Sequence, residues 1–471
     1  MEYKKAIRDP VHGFIKLTAE EVELIDGEPL IQRLRYVKQL GFVYLVYPTA
    51  THTRFDHTLG VMHIATLIGD RVLRQMGAYD EELIQHLRVA ALLHDIGHMP
   101  FSHTFEPLAR HVLFYAVERK CVNVDDLAEF EVAKKPHEIT TRLLVDKLAP
   151  RLAKLGYDPE LVKDLLFKRR KELRPLSNII SGTFDADRLD YIMRDIYFTG
   201  AAVGTSFTYT DLQRIVENLW VGEEGFYFDE KARVNLEGYL LTRYNLYRHV
   251  YLHHKTVLFT ELARKAFVES LEKCRQEDGS PICDYLCSLA RFIAGQPDDE
   301  IWKATDDYFV AVFTHSQQFR ELLSRKPPEY VALWKREKDF LEFFKDPQGA
   351  RTAVATHWAL LAKLWEDVIE SLNRLMGNCQ LTVNDVIITH VEFEPYSRER
   401  EELYITTAIG RPVPLSQISP LVEALENAWK RSPQFFIFIR RDAVRRCNGI
   451  IDELRASLES LLHRALRRHL P

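Results

Sequence analysis

Between residues 57 and 97 apolar positions recur at steps of three and four, the spacing of one helix face. "HTLGVMHIATLIGDRVLRQMG" (57–77) runs to Gly77, and "EELIQHLRVAALLHDIG" (81–97) stops at Gly97, with Pro100 just beyond, where a helix cannot continue. "DRLDYIMRDIYFTG" (187–200) carries Leu189, Ile192, Met193 and Ile196 at the same spacing. The pattern predicts further helices at 136–155, 159–172, 236–274, 298–324 and 351–376. Strand signals are local: "EGFYFDEKARVNL" (224–236) reads as a hairpin. After about residue 380 the texture changes. "DVIITHVEFEP" (385–395), "ELYITTAI" (402–409) and "QFFIFIRRD" (434–442) are β-branched or aromatic runs, with a helix expected at 416–430. The expected fold is mainly α: a helical bundle with a short β-hairpin over 1–378, then a small α+β region over 379–471.

Length and composition narrow the class. A chain of 471 residues exceeds one small domain, and 46% hydrophobic residues suffice for a packed core. A net charge of −5 gives no global electrostatic case for nucleic acid or membrane. No apolar run reaches the roughly 18 residues of a membrane helix, and "MEYKKAIRDPVHG" lacks the apolar core of a signal peptide. The six cysteines, Cys121, Cys274, Cys283, Cys287, Cys379 and Cys447, form no CxxC pair and read as reduced structural thiols of a cytoplasmic protein.

The candidate chemistry lies in the histidines. Nine of 18 fall between His52 and His137: His52, His57, His63, His86, His94, His98, His103, His111 and His137. Imidazole is a common ligand for borderline metals, with carboxylate as its usual hard partner. Neighbours on a helix project about 100° apart, so His94 and Asp95 can share an ion only near a helix end, which Gly97 supplies. His98 follows one turn after His94. Arg54 and His57 share a face of the upstream helix, and an arginine beside a metal-binding histidine suits an anionic substrate such as phosphate. Asp187, Tyr191 and Asp195 recur every four residues on another helix, a source for the carboxylate that a His-His-Asp set lacks.

The strings "RDPVHGFIKL", "IQRLRYVKQLGFVYLVYPTATHTRFDHTLGV", "ALLHDIGHMPFSHTFE" and "DADRLDYIMRD", in that order from about residue 7 to 260, resemble the HD-domain superfamily. More narrowly they resemble its deoxynucleoside triphosphate triphosphohydrolases. By motif the resemblance implies metal ligands His57, His94, Asp95 and Asp187. It implies active-site roles for His98, His103, Glu106 and His137, with Glu106 standing where the family often has aspartate. Arg54 and Arg188 would hold phosphate oxygens. Tyr191 and Asp195 would line the sugar pocket, Gln39 and Leu40 would approach base and sugar, and Arg243 and Tyr251 would complete it.

The implied reaction is hydrolysis of a dNTP to a deoxynucleoside and inorganic triphosphate. It needs a divalent transition metal (iron, manganese, nickel or zinc), with magnesium as a companion of the nucleotide. Relatives bind an activating nucleotide at a subunit interface near "VHG" and "QRLR", which points to Val11, His12, Asp26, Gln32 and Arg35, and to a homo-oligomer, with a tetramer favoured. Two other readings stay open: phosphodiesterase or nucleotidase chemistry at the same site, and a non-catalytic nucleotide or nucleic-acid binder. The arginines of "IRRDAVRRCNGIIDELRASLESLLHRALRRHL" (439–470) favour the binder, but interspersed acids make that run a solvated face.

Overall fold

A computed structural model describes residues 1–123, 128–131, 135–201, 207–222, 225–276, 279–297, 301–327, 329–344, 346–347, 349–351, 354, 369–370, 372–374, 380–390, 402–406, 411–433, 435–447, 449–454 and 458. The fold is mainly α with three small sheets. An N-terminal hairpin pairs Lys5–Asp9 with Gly13–Leu17. The helix Ala19–Gly27 follows, opened by a capping box of Thr18 and Glu21. Glu21 also forms a buried ion pair with Arg88 (2.5 Å), locking this end of the chain to the helix Glu81–Leu93.

That helix packs along Arg54–Gln75, and the helix Ala186–Thr199 packs on the other flank of Arg54–Gln75. Ile64, Ile68 and Val72 on one side, and Val89, Leu92 and Leu93 on the other, are fully buried between them. Their burial follows from the spacing that predicted the helices, at roughly 1.5–3 kcal/mol for each large apolar side chain.

Several boundaries differ from expectation. The hairpin lies at Leu219–Gly222 and Gly225–Asp229, because Asp229 caps a helical turn at Lys231 and the helix Arg233–Leu246 takes over. The expected 236–274 helix is broken: a wide turn of π type, Tyr247–Tyr251, separates Arg233–Leu246 from His254–Gln276. The 298–324 segment divides into Asp306–Phe313 and Gln317–Leu323 at the N-cap Thr305 and at Ser316. The 159–172 helix ends at Phe167, where Lys168 turns left-handed (φ 53°). Most of 351–376, parts of the strands at 385–395 and 402–409, and the end of the arginine-rich run lie outside the described residues.

The late strands form at Val386–His390, Tyr404–Thr406 and Phe435–Arg440, with the helix Pro420–Arg431. They do not pair only with one another. Phe435–Arg440 sits between Val386–His390 and Tyr330–Ala332, and Tyr404–Thr406 adds in parallel to Gly225–Asp229. Both sheets thus draw strands from either side of residue 379.

The cysteines correct the sequence reading. Cys121 is disulfide-bonded to Cys287 (Cα–Cα 5.5 Å) and Cys274 to Cys283 (5.4 Å); Cys447 is disulfide-bonded too. No free cysteine occurs among the described residues. The bond from Cys121 closes a separation of 166 residues, which no local spacing could reveal. Disulfides persist in oxidising compartments and in intracellular proteins of hyperthermophiles, so cysteine usage no longer argues for an ordinary reducing cytoplasm. Among the described residues no helix is long and apolar enough to cross a membrane.

Candidate metal centre and active site

Three helix ends meet at one point. Thr53 and Asp56 form a capping box that starts Arg54–Gln75, which places Arg54 and His57 in its first turn. Glu81–Leu93 ends as His94 begins, and Asp185 caps Ala186–Thr199, putting Asp187 in the first turn there. The loop after His94 is tightly held. The buried Arg33 guanidinium donates to the carbonyls of Ile96 (2.8 Å), His98 (2.8 Å) and Ala304 (2.5 Å), and its desolvation lowers its pKa to about 9. A Cβ on Gly97 would lie 2.4 Å from the His137 carbonyl oxygen, so only glycine lets this loop close on the helix Pro136–Lys154. Phe101 and Ser102 adopt left-handed backbone (φ 57° and 53°), held by Asp306, which accepts from Phe101 N–H at 2.6 Å, and by Ser102 donating to the Lys38 carbonyl at 2.6 Å.

The four residues expected as ligands converge. One ligand atom each of His57, His94 and Asp187 lies within 4.8 Å of the others. His57 Nε2 is 3.1 Å from Asp187 Oδ1, and Asp95 Oδ2 lies 3.6 Å from His57 Nε2 and 3.4 Å from His94 Nε2. The donor set fits a divalent metal. His94 Nδ1 lies 2.7 Å from the Ala91 carbonyl and donates to it, which leaves the Nε2 lone pair to the centre; Nε2 is buried with no hydrogen-bond partner among the described residues. His57 Nδ1 donates to Asp190 Oδ2 (2.7 Å) in the same way. An outer carboxylate or carbonyl that fixes the imidazole tautomer is the usual support of a histidine ligand.

The charges hold each other in place. Burial pulls the His57 imidazole down, but hydrogen bonds to Asp187 and Asp190 prevail and raise it to about 10. Burial would raise Asp187, yet His57 and then His94 bring it to about 2. Asp95 is held well below the carboxylate range against its burial by His94, Arg54 and His98. Without an ion His57 is therefore protonated through the neutral range, and a metal must displace that proton. Metal uptake at pH 7 should release one proton from His57, and affinity should rise about tenfold per pH unit until pH nears 10. Titration calorimetry in buffers of different ionisation heat measures this; uptake without proton release would contradict it.

Beside the first group lies a second. His103 Nδ1 is 2.6 Å from Glu106 Oε2, and His137 Nδ1 meets Glu106 Oε1. His98 stacks on His137 (4.0 Å between ring centres), and its Nε2 is 3.2 Å from Asp95 Oδ1. Burial, Arg54 and His137 hold His98 well below the ordinary histidine value. Burial lowers His103 as well, outweighing Glu106, although about half of its side chain reaches solvent. Glu106 is kept far below the carboxylate range by the two histidines it accepts from, against its own burial.

Arg54, buried, joins Asp95 Oδ2 (2.5 Å) to Ser102 Oγ (3.0 Å). Arg188 pairs with Asp185 (2.5 Å) and the Gly182 carbonyl. Asp195 accepts from Tyr251 Oη and approaches His52 Nε2 at 2.7 Å, and the half-buried Tyr191 lies near Tyr251 and Arg243. Buried Gln39 donates its backbone N–H to the His52 carbonyl (3.1 Å), and Leu40 caps the turn Gly41–Leu45. Arg243 is buried on Arg233–Leu246. The five residues expected near an activating nucleotide each have a partner within the chain. His12 is buried on Asp190 (2.6 Å), while Asp26 pairs with Lys5, Gln32 with the Ile25 carbonyl, and Arg35 with Gln32 over the ring of Phe55. Val11 donates its N–H to Asp9. Of the other clustered histidines, His63 pairs with Tyr209, and His86 with the Glu82 carbonyl and the Asp158 N–H.

Sequence reasoning passed over Asp190 and Arg194, and gave His52, one of the clustered histidines, no role of its own. Asp190 is fully buried and holds His57, His12 and Arg194 together, and Arg194 also reaches Asp9 at 2.8 Å. The signal was present as an Asp-Arg pair four apart beside the Asp187 stripe. Gly60 makes room for this network, since a Cβ there would fall 1.8 Å from Asp190 Oδ1.

A helical domain with two histidines and two aspartates converging at its helix ends defines a class, and residues 54–192 match the HD domain family. The chain carries an HD domain. An uncharacterized protein of Methanocaldococcus jannaschii is 35% identical over 274 residues, 57% of this chain and 50% of that protein. The deoxynucleoside triphosphate triphosphohydrolase SAMHD1 of Homo sapiens is 29% identical, covering 89% of this chain and 68% of its own. The crystal structure of a hypothetical protein from Aquifex aeolicus superposes with a TM-score of 0.65 at 26% identity, covering 96% of this chain and 99% of that one. The chain spans about half the length of curated relatives that it matches.

Proposed function

We propose that this protein is a metal-dependent phosphohydrolase that converts a dNTP to a deoxynucleoside and inorganic triphosphate. The observation that carries the reading is the juxtaposition of two groups: a His-His-Asp-Asp centre, and a His103–Glu106 pair joined to it through Asp95 and His98. His57, His94, Asp95 and Asp187 would hold a divalent metal, which when bound would supply an activated water and neutralise phosphate charge. Iron, manganese, nickel and zinc all suit that donor set. Arg54 sets a cation beside the same carboxylate, where charge on a bound phosphate builds up. His103, oriented by Glu106, donates the proton that the departing 5′ oxygen needs. Arg188, Arg243 and His137 bind the remaining phosphates, while Gln39, Leu40, Tyr191, Asp195 and Tyr251 surround base and sugar. A nucleotide substrate calls for residence in the cytoplasm. An activating nucleotide would use Val11, His12, Asp26, Gln32 and Arg35 at a contact between copies, in a homotetramer that light scattering would detect.

The test is a screen of the four dNTPs, singly and in pairs, with triphosphate as the measured product. Release of triphosphate only from pairs would also reveal activation. Selectivity for deoxyribose gives a second check. A tyrosine ring against the 2′ carbon leaves no room for a hydroxyl, and overpacking of that kind costs on the order of 1–3 kcal/mol. A dNTP should then be preferred over the matching NTP by roughly tenfold to a hundredfold in kcat/KM, and Tyr191→Ala should narrow the gap. An unchanged ratio at matched folded concentration would remove Tyr191 from the sugar pocket.

A further inference from the structure

We propose that Asp306 is a positioning residue: its buried carboxylate fastens the loop 37–40 to the loop 101–104, so that two sides of the candidate site keep one register. What this does for catalysis rests on the reaction proposed above, in which Gln39 and Leu40 approach base and sugar and His103 donates the proton. Asp306 opens the helix Asp306–Phe313 behind the N-cap Thr305 and is fully buried. Its Oδ2 accepts from the Lys38 N–H at 2.9 Å and its Oδ1 from the Phe101 N–H at 2.6 Å. Each donor belongs to a different loop, and the two loops also touch directly. Ser102 Oγ donates to the Lys38 carbonyl at 2.6 Å, and Phe42 stacks on Phe101 with 4.1 Å between ring centres. A Cβ on Gly41 (φ 52°) would fall 2.8 Å from the Phe101 carbonyl oxygen.

Only an ionised carboxylate serves both N–H groups, because each of its oxygens must accept. Protonation, or replacement by an amide, turns one of the two atoms into a donor aimed at a donor. A buried N–H left in that way is costly. Here it would lie beside Phe101 and Ser102, which already hold left-handed backbone. The charged and titratable groups facing the carboxylate are Lys38, whose Nζ lies 3.7 Å from Oδ2, Arg33, Tyr44, Tyr285 and the neighbouring Asp307. Burial outweighs Lys38 and the two N–H bonds and raises Asp306 to about 6, so the fastening opens as pH falls through that value.

The test is amide hydrogen exchange, read by mass spectrometry on nucleotide-free protein, so its failure leaves the hydrolase reading standing. In wild type, protection of both loops relative to intrinsic exchange should fall together by roughly tenfold between pH 7 and pH 5. Asp306→Asn should show the loosened state of both loops at pH 7 and no step with pH, while the helix Arg54–Gln75 exchanges as in wild type. If the variant loosens as a whole, the wild-type step decides by itself. At unchanged metal content the variant should also lose about a hundredfold in the kcat/KM of triphosphate release, the scale of a misplaced catalytic group. Wild-type protection indifferent to pH, loosening of one loop alone, or a variant as active as wild type would overturn the proposal.

Discussion

An Asp187→Ala protein should lose most of its bound metal and at least about a thousandfold in kcat/KM, since one ion both activates the water and neutralises the phosphate. That fall corresponds to ~4 kcal/mol, within the several kcal/mol a Lewis-acidic ion supplies. The side chain is 40% exposed and sits in the first turn of its helix, so the fold should survive and metal content can be read on a native protein. His94→Ala with Asp95→Ala should have the same effect on metal. Full occupancy in that double variant, by elemental analysis, would refute the centre.

A His103→Ala protein should keep its metal yet lose about 10²–10⁴-fold in rate, the usual contribution of a positioned acid. The side chain touches Glu106 and reaches solvent, so its removal opens no core cavity. A proton donor must be protonated, so kcat/KM should fall as pH rises through the His103 pKa. Burial and Arg54 hold that value below the ordinary histidine value of about 6.5, which puts the limb on the acid side of neutrality. The limb should vanish in His103→Ala. A profile identical to wild type would assign the proton to another group.

The helices of the centre were legible because burial and periodicity agree there. His57, His94 and Asp187 stand at helix ends marked by a capping box, a glycine stop and an N-cap aspartate, all local signals. What holds those side chains was less legible. Arg33 reaches carbonyls 63 and 65 residues away, and Asp306 binds backbone N–H groups more than 200 residues upstream; neither leaves a periodic trace. Tyr251 meets Asp195 through a wide turn in what reads as one long helix, and turns of this kind follow packing more than propensity. The inward turn of the His12 ring to Asp190 was equally hidden, since the two residues stand 178 apart in the sequence. The disulfides were hidden for the same reason as Arg33: long separation.

The measurement that bears most directly on the central claim is product analysis in H₂¹⁸O. Metal-loaded enzyme is given a dNTP, and the products are separated and weighed by mass spectrometry. Attack of water on the α-phosphorus with loss of the 5′ oxygen predicts unlabelled deoxynucleoside and inorganic triphosphate carrying one ¹⁸O. Nucleoside monophosphate with pyrophosphate, release of single phosphates, or no turnover of any dNTP or dNTP pair would contradict it.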